Sequence, residues 1–367
     1  MIPIEYYIPT YYVCLSLVLL HSTLPLFKYK YLENFPTINL KAGSVFLLLV
    51  TIGFIGLRDP LGHWSYFGDT GAYTRTFDLI QRGIRTEFSK DVGFYIFMKL
   101  CSQIMGIQGF YLLSAIIYVG LPYLTFKKWF GQYAFFALAA FVTAMSFWGF
   151  GINGVRSGLA SSIFIFALGF RDKKWVLYSL LLLSVTFHKS MLLPLMAYIF
   201  VSYYTNTKVL MLVWLSAIPV SLIVRQDLET FALVSNIFTT NTIIADNRAL
   251  TYFSGQDNNL YNEQHFRLDF VIYSAIPILL AYWQLFKNKY KNRLFSLLVN
   301  IYLIANTAWV LLIYVPFTNR LAYLSWFLMP VILIFPFIAK EESKFNNKII
   351  GLILFGSLIF SLLMQFK

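Results

Sequence analysis

The chain has 367 residues, 59% of them hydrophobic and only 12% charged, with a formal net charge of +13. No soluble domain buries apolar surface on that scale, and apolar runs that do not alternate in steps of two exclude a membrane β-barrel. Only two cysteines, Cys14 and Cys101, are present, both in apolar stretches, which excludes a disulfide framework, and the positive charge is better explained by basic loops on one side of a membrane than by nucleic-acid binding.

The reading is an all-α polytopic membrane protein. Apolar runs of roughly 18–20 residues, each suited to a ~30 Å hydrocarbon core, recur along the chain. They predict about twelve transmembrane helices, near 6–27, 42–57, 108–126, 131–149, 153–170, 174–187, 190–204, 208–224, 268–286, 294–315, 321–339 and 348–366. The opening MIPIEYYIPTYYVCLSLVLL lacks a basic n-region and an A-x-A-like site, so it reads as a retained first span rather than a cleaved signal peptide. The short basic loops 28–41, 127–128, 171–174, 287–293 and 340–348 all fall on one side under this count. That side is cytoplasmic by the positive-inside rule, and both termini are external. The stretch 91–106, DVGFYIFMKLCSQIMG, reads as an external or re-entrant helix, because a full span there would invert everything after it. The external side then holds two long segments, 58–107 and 225–267. Loops that long are usually functional, and the second one, polar with Tyr252, Phe253 and Tyr261, suits glycan binding. Residues 1–367 read as a single integral membrane domain.

Ionisable residues gather at the external ends of the spans. Arg58 and Asp59 close the second span, Asp69 lies in FGDTGAY, and Asp91 opens DVGFY. Arg156 lies near the start of the fifth span, His188 and Lys189 in TFHKS, and Arg320 in FTNRLAY. Singly each reads equally well as an interfacial or snorkelling side chain. A charge at the bilayer centre costs about 2.5–3.5 kcal/mol on insertion scales, so Arg156 needs a compensating partner. The run Trp175–Tyr204 is too short for two full spans, yet loop parity demands two. The turn at His188–Lys189 is therefore expected below the external surface, where non-helical backbone must be buried in protein or line a watered cavity. Arg156, His188 and Arg320 are the expected lining. Arginine forks match phosphate oxygens, histidine titrates near neutrality, and a carboxylate accepts a hydroxyl proton. The lining thus suits a lipid-linked phosphate or diphosphate beside acid–base chemistry. No metal cluster is expected: His21, His63, His188 and His265 are scattered, and DLE at 227–229 reads as loop.

The ordered set GLRD, FGDTGAY, KDVGFYIF, NGVRSGLA, FHKS and NRLAY resembles the bacterial O-antigen and exopolysaccharide polymerases of the Wzy/EpsG type. The matched positions include Arg58, Asp69, Tyr73, Asp91, Asn153, Arg156, Ala160, His188, Ser190, Arg320 and Tyr323. Three details depart from the family pattern: a longer gap from Arg58 to Asp69, Asp91 in place of Glu, and Ser157 in place of Gln. The resemblance implies a GT-C-like membrane glycosyltransferase in the bacterial inner membrane, with its active site facing the periplasm or exterior. It implies transfer of a glycan from undecaprenyl diphosphate onto the next undecaprenyl-diphosphate-linked repeat unit. Arg156, Arg320 and Arg58 would hold the diphosphate, with Tyr73, Asn153, Lys189 and Tyr323 toward the glycan. His188 is favoured as base or acceptor-orienting group; Asp69 and Asp91 are the other candidates. No metal, no cofactor and no nucleic acid are expected; membrane lipids are partners, and the resemblance leaves room for a chain-length-regulating protein. The competing readings are an O-antigen ligase or other lipid-phosphosugar glycosyltransferase, a transporter such as a lipid-linked oligosaccharide flippase, and a membrane O-acyltransferase.

Overall fold

The computed structural model describes residues 3–29, 32, 35–84, 91–226, 266–314, 318–339 and 347–366. Among these residues every regular element is helical. Most of the predicted external segment 225–267, with Tyr252, Phe253, Tyr261 and the DLE motif, lies outside the described residues, as does most of the loop 340–348. The chain divides into two compact units, Met1–His188 with Leu333–Lys367, and Lys189–Ile332.

The first unit contains α1 (Ile4–Thr23), α2 (Thr37–Gly56), α3 (Thr70–Gln81), α4 (Val92–Ile104), α5 (Ile107–Phe130), α6 (Ala134–Val142), α7 (Met145–Ile152), α8 (Val155–Leu168) and α9 (Lys174–Phe187). Its α5 ends at Gly131, whose φ of 57° turns the chain before α6 begins. The centre is α8, packed against α5 and α9. Nearly all of α8 is buried, and its small residues let neighbouring backbones approach, as small-residue faces do in membrane bundles. The Ser162 hydroxyl donates to the Tyr118 carbonyl at 2.7 Å, and Ser184 of α9 donates to the Ala160 carbonyl at 2.9 Å.

The second unit contains α10 (Leu192–Tyr203), α11 (Thr207–Gln226), α12 (Leu268–Tyr282), α13 (Arg293–Leu311) and α14 (Thr318–Trp326). Here α13 is the hub, packed against the other four. Inside it lies a polar network. Asn306 of α13 accepts from Trp214 Nε1 at 2.7 Å and donates to the Ser325 and Ser274 hydroxyls at 2.8 and 3.2 Å. Trp326 Nε1 donates to the Ser274 hydroxyl at 2.7 Å. Interhelical hydrogen bonds in membranes average about 0.6 kcal/mol and reach about 1.7, so their value lies in specifying one arrangement. The chain then runs through α15 (Met329–Ile338) into the terminal α16 (Lys348–Gln365).

Among the described residues seven helices are long and apolar enough to cross a membrane: Ile4–Lys28, Ile38–Gly56, Ile107–Val142, Leu268–Lys287, Arg293–Leu311, Thr318–Ile338 and Lys348–Gln365. An eighth crossing results if α7 and α8, bent by 117° at their break, form one span. The sequence expectation was about twelve. The difference lies in the middle of the chain, where predicted spans correspond to broken or shorter helices. The predicted 131–149 span is interrupted between α6 and α7, where Ala144 is extended. Helices α8 and α9 have 14 residues each, about 21 Å at 1.5 Å per residue, against a ~30 Å core. The stretch 91–106, expected as an external or re-entrant helix and not counted among the twelve, holds a 13-residue helix, α4, too short to cross.

Candidate functional site

The break expected at TFHKS is present. Helix α9 ends at Phe187, His188 is extended at φ −154° and ψ 111°, and a short 3-10 turn Lys189–Met191 follows. Two other helix beginnings of the first unit meet His188. One is α4, which starts after Asp91; the other is α8, which carries Arg156 in its first turn.

Arg156 Nη1 donates to Asp91 Oδ2 at 2.6 Å, and His188 Nδ1 lies 3.6 Å from that same oxygen. The Asp91 side chain is 7% exposed, whereas those of Arg156 and His188 are 20% and 23% exposed. The carboxylate is therefore sealed in, and the two nitrogen-bearing groups still reach the surface. The Arg156–Asp91 pair goes against local preference at both ends. Asp at an N-cap ordinarily accepts from the first amides of its own helix. Asp91 makes no such cap bond; its carboxylate turns to Arg156. An arginine in a first helical turn opposes the helix dipole, and Asp91 offsets that charge. Local rules broken in favour of a cross-helix contact are a mark of functional sites.

Gly93 explains how α4 and α9 come so close. A Cβ there would lie 2.2 Å from Thr186 Oγ1 and 3.0 Å from the Thr186 backbone carbon. Only hydrogen fits, and that approach brings Asp91 against His188. Below the ionic cluster Phe94 and Phe97 pack on Phe187, with ring centroids 6.4 and 5.7 Å apart.

Asp69 and Asn153 form a neighbouring joint. The Asp69 amide donates to Asn153 Oδ1 at 2.9 Å. Gly68 precedes it with φ 52°, and a Cβ there would sit 2.6 Å from the Asn153 side chain. The Asp69 carboxylate is half-buried and makes no hydrogen bond or ion pair among the described residues. Asn153 thus reaches the backbone of the FGDT turn, three residues before Arg156.

Arg58 has a different setting. It is 1% exposed. Its Nε donates to Thr70 Oγ1 at 3.0 Å, Nη1 donates to the Ile55 carbonyl, and the guanidinium lies 4.0 Å over the Tyr111 ring. Tyr111 in turn donates to the Thr70 carbonyl at 2.8 Å and meets the Thr74 hydroxyl at 2.9 Å. Burial pulls the Arg58 guanidinium down to about 10, against the opposing pull of Tyr111, Tyr7 and Tyr73, so it stays charged at neutral pH. Tyr73 is buried, its ring edge-on to Phe94 at 5.9 Å. Thr70, Tyr111 and Gly93 carried no spacing signal in the sequence; only their contacts reveal them.

Lys189, Arg320 and Tyr323 belong to the second unit. Arg320 is exposed on α14, and Tyr323 is buried against Phe327. Among the described residues no group of three or more His, Cys, Asp or Glu is close enough to hold a metal ion.

A model of the EpsG family matches residues 41–367, a stretch that includes Arg58, Asp69, Asp91, Arg156, His188 and Arg320. The chain belongs to the EpsG family. Membership indicates a glycosyltransferase-like polysaccharide polymerase of exopolysaccharide or O-antigen synthesis, and the apolar helices make it a multi-pass membrane protein. No curated protein and no solved structure matches the chain. For an EpsG-family protein, the convergence of Asp91, Arg156 and His188 is the feature that calls for a chemical role.

Proposed function

We propose that the protein polymerises undecaprenyl-diphosphate-linked oligosaccharide repeat units on the external face of the bacterial inner membrane, within a GT-C-like architecture. The observation that carries this reading is the contact of Arg156 and His188 with one oxygen of the buried Asp91 carboxylate. Arg156 provides a permanent cation with several donors, at the positive end of α8, and both features favour a phosphate. Arg320 is a further exposed cation for the same class of ligand. Arginine charge, rather than a divalent ion, meets the charge that develops on the leaving group.

In this mechanism the Asp91 carboxylate, 3.6 Å from Nδ1, favours the imidazolium through its charge, and Nε2 accepts the proton. The acceptor sugar hydroxyl gives its proton to His188 as its oxygen attacks the anomeric carbon of the donor glycan. The bond from that carbon to the diphosphate oxygen breaks, and its electron pair leaves with undecaprenyl diphosphate. Asp69, close by on the FGDT turn, suits an acceptor hydroxyl through its uncommitted carboxylate. Arg58 supports that turn from within.

Glycan length in a deletion strain tests the reading. The expected product is a surface glycan of one repeat unit, still attached to its final carrier. Complete loss of surface glycan would instead identify a flippase or a ligase.

A further inference from the structure

The second unit contains a polar network that the motif pattern does not touch. Asn306, Ser274 and Ser325 are fully buried, Trp326 is 2% exposed and Trp214 5%. The amide of Asn306 is engaged at both ends: its oxygen accepts from Trp214, and its nitrogen donates to Ser274 and Ser325. Three of these bonds end on or beside α14. Ser325 receives Asn306, the adjacent Trp326 donates to Ser274, and Thr318, the first residue of α14, accepts from Trp309 Nε1 at 2.7 Å.

Helix α14 has nine residues and begins the Thr318–Ile338 span, which breaks for two residues before α15. The anchors bear on the rotation of this first part. Thr318 and Ser325 are seven residues apart, about two turns, so they lie on one face. Arg320, two residues after Thr318, is turned about 200° away from that face. It is exposed, whereas Ala322 to Trp326 are buried. A change of azimuth or register in α14 would carry the Arg320 fork to a different place.

We propose that Asn306 is a positioning residue for Arg320: with Trp309, it sets the rotation of α14 and hence the direction in which the guanidinium meets an anionic group of the lipid-linked substrate. This rests on the reading of Arg320 as a diphosphate-binding residue. Asn306 touches no substrate and acts through the helix.

The test is a double-mutant cycle on the full chain in proteoliposomes, with a synthetic undecaprenyl-diphosphate-linked repeat unit as probe. N306V is expected to lower kcat/KM about tenfold or more with a folded, detergent-stable protein, and R320K to lower it comparably. N306V/R320K is expected to be no slower than R320K, because both changes act on one group. A double variant slowed by the product of the single losses overturns the proposal. So does an N306V protein as active as wild type beside an inactive R320A. Wild-type activity of R320A would instead remove the reading of Arg320 itself. If N306V fails to fold, T318V, which breaks only the Trp309 anchor, takes its place in the cycle with the same expected non-additivity.

Discussion

Arg58 and Arg156 look alike in the sequence: each follows a glycine within two residues and each sits at the end of an apolar run. In the structure their surroundings are opposite. Arg58 is buried among Ile55, Thr70 and Tyr111, and these three contacts are uncharged. Arg156 is paired with a carboxylate and remains one-fifth exposed. A fully buried guanidinium bonded to Thr70 and Ile55 and stacked on Tyr111 fits a structural fastening. A partly exposed one, paired with a buried acid beside a histidine, is the one we propose for a ligand. The motif alone does not distinguish these roles; the company of each arginine does.

The sharpest way to break the comparison is at Arg156. R156A is expected to lower polymerisation by about 10²–10³-fold, the scale of one preorganised electrostatic contact, with expression and membrane insertion intact. R156K is expected to rescue poorly, since an ammonium cannot hold Asp91 and a phosphate in one plane. Wild-type chain length from R156A would make that residue interfacial decoration and erase the distinction from Arg58.

Arg58 is expected to fail differently. R58A leaves the Thr70 hydroxyl, the Ile55 carbonyl and the Tyr111 face without their partner, at about 1–3 kcal/mol for each unsatisfied buried group. The readout is thermal stability and yield in detergent, falling together with activity. An R58A protein of unchanged stability that has lost only lipid-diphosphate binding would move Arg58 to the ligand side.

A smaller effect tests the geometry that joins Asp91 to His188. G93A is expected to push α4 from α9, costing about 1–3 kcal/mol as overpacking does, and to lower turnover more than substrate binding. Unchanged turnover would mean that the approach of these helices does not set the site.

Much of this was legible in the sequence, and the reasons for the rest are physical. The all-helical membrane class followed from composition. The break at TFHKS followed from an apolar run too short for two crossings. Asp91, Arg156 and His188 were each marked as ionisable residues beside spans, and the structure brings these three together. Span number was harder, because hydropathy measures the length of an apolar run and not its straightness. The run through Gly131, Ala144 and Gly154 is apolar almost throughout yet folds as three helices, α6, α7 and α8, after α5. The fastening of Arg58 was not legible either: Tyr111 lies 41 residues beyond Thr70, and no periodicity links them. Asn306 reads in sequence as a polar residue in an apolar helix, and only its three partners, with Trp326 on Ser274, show a network.

The account turns on His188 as the group that takes the acceptor proton. The direct measurement is single-turnover transfer by purified H188A with a synthetic undecaprenyl-diphosphate-linked repeat unit, alongside binding of the same lipid. Loss of a general base predicts a rate about 10²–10⁴-fold below wild type, with lipid affinity within about twofold. H188A that polymerises normally, while D69N or D91N is inactive, would contradict the account and give the proton to a carboxylate.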